Sequence, residues 1–245
     1  MSHWYQKNGS SAYTIVGENG RERATTLRDA RKLDLLPSVT TILNVSAKPA
    51  LDLWKQKQVL ASAIKLPRAE GEAEKDYIDR VMYDSVQASK EAADRGSAIH
   101  QAVEDYFNNK VVDEYRDLAK AVDNALVDHY GSRLWLCERS FSHELGYGGK
   151  CDMYSNAYTD FPSPIVIDIK TKEGSLDKVE AYDEHLMQLA AYRMGLNLPN
   201  AVCANVFVST NGEVKIIEHS EDDIVKSWVM FGHLLLFWKL KNNFS

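Results

Sequence analysis

The sequence predicts an α+β fold in which a mixed central sheet is flanked by helices. From residue 85 onward, hydrophobic periodicity and turn residues indicate the order helix, helix, three strands, helix, two strands and helix. A three-strand meander that is followed by a helix and a further strand implies a mixed sheet with helices packed against it. We expect residues 1–84 to form an N-terminal helical region and residues 85–245 to form the core, both within one compact domain.

The amino-acid composition is that of a globular protein with a full core. Hydrophobic residues make up 44% of the 245 positions, enough for one large domain or two small ones. No apolar run approaches the roughly 20 residues that cross a bilayer, and the polar residues 1–11 lack the apolar segment of a secretory signal. We therefore expect a cytoplasmic protein without a membrane partner.

Charge and cysteine content bear on two further classes of protein. The net charge of −6 argues against broad, non-specific coating of nucleic acid, although it leaves room for a local basic groove. Cys137, Cys151 and Cys203 are scattered without CxxC spacing. This pattern supports neither a disulfide framework nor an iron–sulfur cluster, and it favours cysteines as small core residues.

The N-terminal part is predicted to be a short strand followed by helices. Residues 12–16 have the pattern of a strand, and Ser38 can cap a helix with recurring apolar positions. Pro49 interrupts that pattern, so we predict two helices rather than one. A connection marked by Pro and Gly ends at Gly71, and an acidic helix then begins, with helical character that continues or restarts up to Phe107.

The core elements follow in order. A helix is predicted over about 113–130, and strands over 134–142, 148–154, 165–170, 201–209 and 214–218. The turn-rich residues 156–164 favour a hairpin between the second and third strands. The dipeptide Asn211-Gly212 favours a hairpin between the last two strands.

Two core helices have recognisable caps. Asp177 with Glu180 resembles a capping box, so a helix is predicted to start there and to end near Gly195. Ser220 with Asp223 predicts the start of a final amphipathic helix.

Two opposite charges lie on the otherwise apolar strand 165–170. Successive side chains of a strand point to opposite faces, so Asp168 and Lys170 share a face. If the preceding strand pairs as a hairpin, Asp152 lies beside Asp168 at the inter-strand spacing of about 4.8 Å. Two carboxylates so close repel each other unless a cation lies between them. The simplest resident is a hard divalent ion, Mg²⁺ or Mn²⁺, with Lys170 beside it.

Four other positions are candidates that spacing alone does not decide. His100 follows two small residues by about one helical turn, so a ligand can approach closely, but a lone helical histidine is more often structural. Glu138 lies in mid-strand, either on the solvent face or at a site. Gln188 and Tyr192 are four residues apart on one helical stripe, which faces either solvent or a site.

These side chains are the parts that a phosphodiester hydrolase needs. The candidate metal ligands are Asp152, Asp168, the backbone carbonyl near Ile169, and His100 or Glu138. An ion held there can polarise a phosphate and lower the pKa of bound water. Lys170 can orient or help deprotonate that water and stabilise charge in the transition state. A lysine that only bridges two aspartates would use the same residues structurally, so both interpretations stay open.

Taken together, these segments resemble the PD-(D/E)XK nuclease superfamily in its RecB-like branch, which includes phage exonucleases and the mitochondrial genome maintenance exonuclease. The matching segments are residues 95–100 (RGSAIH), Glu138, 148–153 (GGKCDM), 168–171 (DIKT) and 182–197 (YDEHLMQLAAYRMGLN). Residues 36–43 (LPSVTTIL) resemble the N-terminal helical region of phage and mitochondrial members.

The resemblance implies a restriction-endonuclease-like fold and a role for each candidate residue. The metal ligands it implies, for Mg²⁺ or Mn²⁺, are His100, Asp152, Asp168 and the Ile169 carbonyl. Lys170 would be the catalytic lysine, and Glu138 would position water or hold a second metal. Gln188 and Tyr192 would contact the nucleic-acid backbone and support the site. The cysteine quartet of the iron–sulfur members is missing, so no iron–sulfur cluster is expected.

The function implied is that of a metal-dependent DNA exonuclease acting on single strands or strand ends. The N-terminal helices are expected to cover the site, because a covered channel admits ends more readily than a continuous duplex. Such an enzyme would serve DNA recombination, repair or replication in the cytoplasm of a bacterium or phage-infected host, alongside other recombination or replication proteins. The alternatives are a structure-specific endonuclease with the same site and a nuclease-fold scaffold that binds DNA without cleaving it.

Overall fold

The computed structural model describes residues 3–17, 20–157 and 161–244. The helices are α1 (Leu27–Lys32), α2 (Val39–Leu43), α3 (Pro49–Lys65), α4 (Glu74–Phe107), α5 (Arg116–Tyr130), α6 (Asp183–Gly195) and α7 (Glu221–Lys241). The strands are β1 (Trp4–Tyr5), β2 (Thr14–Val16), β3 (Glu22–Ala24), β4 (Leu36–Pro37), β5 (Leu136–His143), β6 (Tyr147–Ser155), β7 (Ile165–Lys172), β8 (Val202–Ser209) and β9 (Val214–Glu218). The chain forms two compact units, residues 1–46 with 100–245, and residues 47–99.

A five-stranded sheet in the order β5-β6-β7-β8-β9 forms the centre of the first unit. β5, β6 and β7 pair antiparallel, β7 and β8 pair in parallel, and β9 returns antiparallel to β8. A parallel pair needs a crossover connection, which contains α6. The predicted α+β fold, with a mixed sheet and flanking helices, is confirmed.

One apolar cluster joins the sheet to α2, α6 and α7. Its buried members include Ile42 of α2, Leu189 of α6, Phe231 of α7 and Cys151 of β6. Each large apolar side chain that is fully buried contributes about 1.5–3 kcal/mol to folding. Because α6 is buried from Met187 to Arg193, the polar side chains that it directs at the sheet have fixed positions.

The second unit consists of α3 and the N-terminal part of α4, with the Lys65 Nζ atom 3.0 Å from Asp84. α4 is one continuous helix of 34 residues. The division predicted after residue 84 therefore falls inside a helix, and residues 1–46 belong to the same unit as the sheet.

The start of α6 corrects one prediction. The helix begins at Asp183, with Tyr182 as its N-cap, and not at the capping-box-like Asp177. The segment before it is held by the β8–β9 hairpin, because the Leu176 amide donates to Glu213 Oε2 at 2.9 Å. This tertiary contact keeps the segment out of the helix, and a local capping pattern contains no information about it.

Other local predictions are confirmed. α3 starts at Pro49, and the Ser220 side chain accepts from the Asp223 amide at the start of α7. Gly212, in the turn between β8 and β9, has a φ of +98°, which glycine adopts readily. Residues 158–160 of the predicted connection between β6 and β7 lie outside the described residues. No helix within the described ranges is long and apolar enough to cross a membrane.

Candidate functional site

The two predicted aspartates are brought together where β6 and β7 separate. The ladder between these strands runs from Ser155 opposite Ile165 to Met153 opposite Ile167. Asp152 and Asp168 are the next residues on each strand. In place of a further backbone bond, the Asp152 Oδ2 atom accepts the Ile169 amide hydrogen at 2.8 Å. The ladder between the two strands is thus followed directly by a pair of carboxylates.

Lys170 lies against the deeper of these carboxylates. Its Nζ atom is 2.8 Å from Asp168 Oδ1 and 2.7 Å from Asp168 Oδ2. The Asp168 side chain is only 1% exposed. Burial raises the pKa of Asp168 and the Asp152 charge adds to the rise, while the Lys170 ammonium opposes it. Lysine therefore supplies the positive charge that this buried carboxylate requires.

The helical stripe on α6 faces the site and not solvent. Lys170 Nζ also donates to Gln188 Oε1 at 3.1 Å, and Gln188 Nε2 donates to the Tyr192 hydroxyl at 2.7 Å. Gln188 and Tyr192 are both buried. Burial raises the pKa of Tyr192 well above its usual value, so the phenol keeps its proton. α6 thereby gives the lysine a second hydrogen-bond acceptor, from an element other than its own strand.

His100 reaches the site from α4. Its Nδ1 atom lies 3.7 Å from Asp152 Oδ2, and about a third of its side chain is exposed. The imidazole is thus a neighbour of the outer carboxylate and remains accessible to a ligand.

Glu138 has an unusual backbone conformation. Its φ is +55°, in the left-handed region, which imposes about 1–3 kcal/mol of strain on a residue other than glycine. In the β5–β6 ladder, Cys137 pairs with Met153 and Arg139 pairs with Cys151, and the opposed residues Glu138 and Asp152 between them are not paired. Its carboxylate forms an ion pair with Lys150 of β6. The structure thus pairs Glu138 with a lysine that sequence reasoning did not single out.

A second residue that sequence reasoning missed is Asn205 on β8. It lies opposite Asp168 in the parallel ladder, and its Nδ2 atom donates to Asp168 Oδ2 at 2.8 Å. Its Oδ1 atom is 2.8 Å from His219 Nε2; because an amide oxygen only accepts, His219 is the donor. The sequence feature that could have identified Asn205 is its position as a single amide within the apolar residues 201–209.

The donor set has the chemistry that Mg²⁺ and Mn²⁺ prefer. Two carboxylates and a backbone carbonyl are hard oxygen donors. A residue in a strand directs its N–H and C=O to the same side, so the Ile169 carbonyl points toward β6, as its amide does. Across the described part of the chain, no three His, Cys, Asp or Glu side chains are arranged as a group that could hold a metal ion. In this structure the Asp168 oxygens accept hydrogen bonds from Lys170 and Asn205.

Comparisons with known proteins do not identify the chain. No family model and no curated protein matches it. One similar solved structure, "Crystal structure of SSO0001", aligns over 76% of this chain and 87% of that chain, with 15% identity and a TM-score of 0.32. Similarity at this level supports no functional argument, so the interpretation of the site depends on the residues of this chain.

Proposed function

We propose that this protein is a metal-dependent nuclease that hydrolyses phosphodiester bonds of DNA, acting as an exonuclease at strand ends. The observation that carries the proposal is the Asp168–Lys170–Gln188 cluster beside Asp152, in which Asp168 and Gln188 are buried. An isolated structural ion pair needs neither a second carboxylate at the end of the ladder nor an amide that fixes the lysine from another element.

In this proposal Asp152, Asp168, the Ile169 carbonyl and His100 would hold Mg²⁺ or Mn²⁺. When bound, such an ion lowers the pKa of the attacking water and offsets negative charge on the phosphate. The placement of His100 Nδ1 near Asp152 and the direction of the Ile169 carbonyl are compatible with this assignment.

Lys170 would act on the phosphate and on the attacking water. Its ammonium is positioned by Asp168 and Gln188, so little reorganisation is needed when charge develops on the phosphate oxygens. Gln188 in turn is oriented by Tyr192. Glu138 would position water or a second metal, provided that its carboxylate leaves Lys150.

The choice of DNA ends as substrate comes from the resemblance of the motifs to RecB-like exonucleases. From the same resemblance we propose a role in DNA recombination, repair or replication in a phage or bacterium, with the corresponding protein partners.

The first test is degradation of end-labelled single- and double-stranded DNA in Mg²⁺ by the wild type, Lys170→Ala and Lys226→Ala. Lys226 is exposed on α7 and serves as the matched control. We expect Lys170→Ala to slow degradation about 10²–10³-fold, because it removes one preorganised positive donor, and Lys226→Ala to leave the rate unchanged. Equal rates for the two variants would refute the catalytic assignment.

The same assay separates the alternatives. A covalently closed circle that is cut as fast as its linear form would indicate an endonuclease. A wild type that binds DNA but does not cut it in Mg²⁺ or Mn²⁺ would indicate a scaffold.

Metal binding itself is tested by thermal unfolding with and without Mn²⁺. A ligand that binds only the folded state at 100 times its Kd stabilises it by about 2.7 kcal/mol. We expect Mn²⁺ to raise the Tm of the wild type and chelation by EDTA to reverse the rise. Asp152→Ala should lose the shift; a shift of equal size in this variant would place the ion elsewhere.

A further inference from the structure

A cavity of about 170 Å³ adjoins the candidate site and is not used by the chemistry proposed above. It lies between the N-terminal strand β1, the start of α2, β6 and α6. Tyr192 contributes to its wall and, through Gln188, contacts Lys170. A cavity needs only about 10–15 Å³ to hold one water molecule, so this one has room for a tetrahedral anion.

The lining of this cavity contains a lysine and is rich in hydroxyl groups. Lys150 lines it, and none of the described residues that line it carries a carboxylate. Tyr5 and Tyr13 also line it, with hydroxyl oxygens 2.5 Å apart. Two phenols that share one hydrogen bond leave one O–H free to donate elsewhere. Burial raises the pKa of Tyr5 far above its usual value, so this phenol keeps its proton.

Lys150 already binds an anionic group, the carboxylate of Glu138. Its ammonium pairs with the Glu138 carboxylate, and 41% of its side chain is exposed. An incoming anion can therefore reach it and compete with Glu138. Displacement of Glu138 would also free the carboxylate for the role suggested for it above.

The position of Lys150 relates the cavity to the candidate site. Lys150 and Asp152 are two residues apart on β6, so they share a face and are separated by about 6.6 Å along the strand. That separation is comparable to the spacing of neighbouring phosphates in an extended nucleic-acid strand. We infer that this cavity binds a phosphate group of the substrate strand next to the scissile one, with Lys150 as its cation. The inference rests on the proposed function.

The test is the salt dependence of binding to a fluorescent single-stranded oligonucleotide in EDTA, where cleavage is suppressed. Loss of one phosphate contact on a single strand reduces the slope of log K against log salt by about 0.7. We expect Lys150→Met to reduce the slope by this amount and to weaken binding about tenfold at low salt. Lys226→Met should match the wild type. An unchanged slope in folded Lys150→Met would overturn the inference.

A second variant keeps the lysine and removes its competitor. Glu138→Gln leaves the cavity intact and makes Lys150 available, so we expect binding to become several-fold tighter. Equal or weaker binding would show that Lys150 serves only to hold Glu138.

Oligonucleotides with and without a 5′- or 3′-phosphate distinguish the source of the group. Equal affinities of all forms for the wild type would indicate an internal phosphodiester. A gain from one terminal phosphate that disappears in Lys150→Met would indicate a terminal monoester. If the wild type neither binds nor cuts DNA, the proposed function fails as well, whereas binding and cutting with an unchanged Lys150→Met slope overturn only the phosphate cavity.

Discussion

Lys170 is positioned by two different elements of the fold. Both oxygens of Asp168, on its own strand, and Gln188 Oε1, on α6, lie within hydrogen-bonding distance of its ammonium. Asp168 is in turn held from the next strand by Asn205. At the scale of the residue, the candidate site is a chain of donors and acceptors in which each group fixes the next.

Substitution of Asn205 tests this series of hydrogen-bond donors and acceptors. Asn205→Leu removes a buried amide that donates to Asp168 and accepts from His219. Leaving buried polar groups without a partner costs about 1–3 kcal/mol, so we expect a loss of that size in the free energy of unfolding, measured with urea. Asn200→Leu, at an exposed position, is the control. Equal stability of the two variants would contradict a structural role for the Asn205 bonds.

The site residues that were predicted from the sequence are brought together by local rules, whereas those that were not predicted depend on long-range contacts. Asp168 and Lys170 share a face because a strand alternates, and a hairpin brings Asp152 beside them; both follow from local rules. Asn205 lies 37 residues from Asp168, and its register depends on a parallel pairing that no local pattern encodes. The Glu138–Lys150 pair occurs at a residue with a left-handed backbone, which is rare for glutamate.

At the scale of the element, α6 and β5 approach each other through a glycine. A Cβ atom added at Gly195, the last residue of α6, would lie 2.0 Å from Phe141 Cε2. The Phe141 ring also packs edge-on against Tyr192, with ring centroids 5.9 Å apart. The absence of a side chain at residue 195 therefore lets Phe141 support the tyrosine of the site.

We accordingly expect Gly195→Ala to overpack this contact and to lower the free energy of unfolding by about 1–3 kcal/mol. Chemical denaturation of Gly195→Ala, Phe141→Leu and the double variant measures the effect. The double variant should lose less than the sum of the single losses, because a smaller side chain at residue 141 makes room for the methyl group. Strictly additive losses would contradict a direct clash.

The elements also show where local signals fail. The break at Pro49 and the cap at Ser220 act within a few residues, and the structure contains both. Asp177 and Glu180 carry an equally good capping pattern, yet α6 starts at Asp183 because the β8–β9 hairpin holds the preceding loop. A capping pattern predicts a helix only where no tertiary contact competes with it.

At the scale of the whole molecule, ion pairs make stability depend on pH. Arg193, buried near the end of α6, contacts both carboxylate oxygens of Glu221 at the start of α7, each at 2.6 Å. These hydrogen bonds hold the pKa of Glu221 below its usual value of 4.5. The folded state therefore takes up the proton at lower pH than the unfolded state does.

The stabilisation from this pair is fully present above pH 4.5 and is lost as the pH falls through the lowered pKa of the folded state. We expect Glu221→Gln to be about 1 kcal/mol less stable than the wild type at pH 7. The difference should vanish at a pH below the folded-state pKa. Urea unfolding of both proteins across this range measures it, and a difference independent of pH would exclude an ionic origin.

Cys151 lies between Lys150 and Asp152 in β6, with its thiol in the apolar cluster. Burial raises the pKa of this thiol well above its usual value, so it cannot react with an alkylating reagent while the strand is in place. Its rate of alkylation therefore reports how often β6 detaches from the sheet. Cys203, equally buried in β8, reports the same for that strand, which is separated from β6 by β7. The protein thus contains two native chemical probes of its local opening, one on each of two strands of the central sheet.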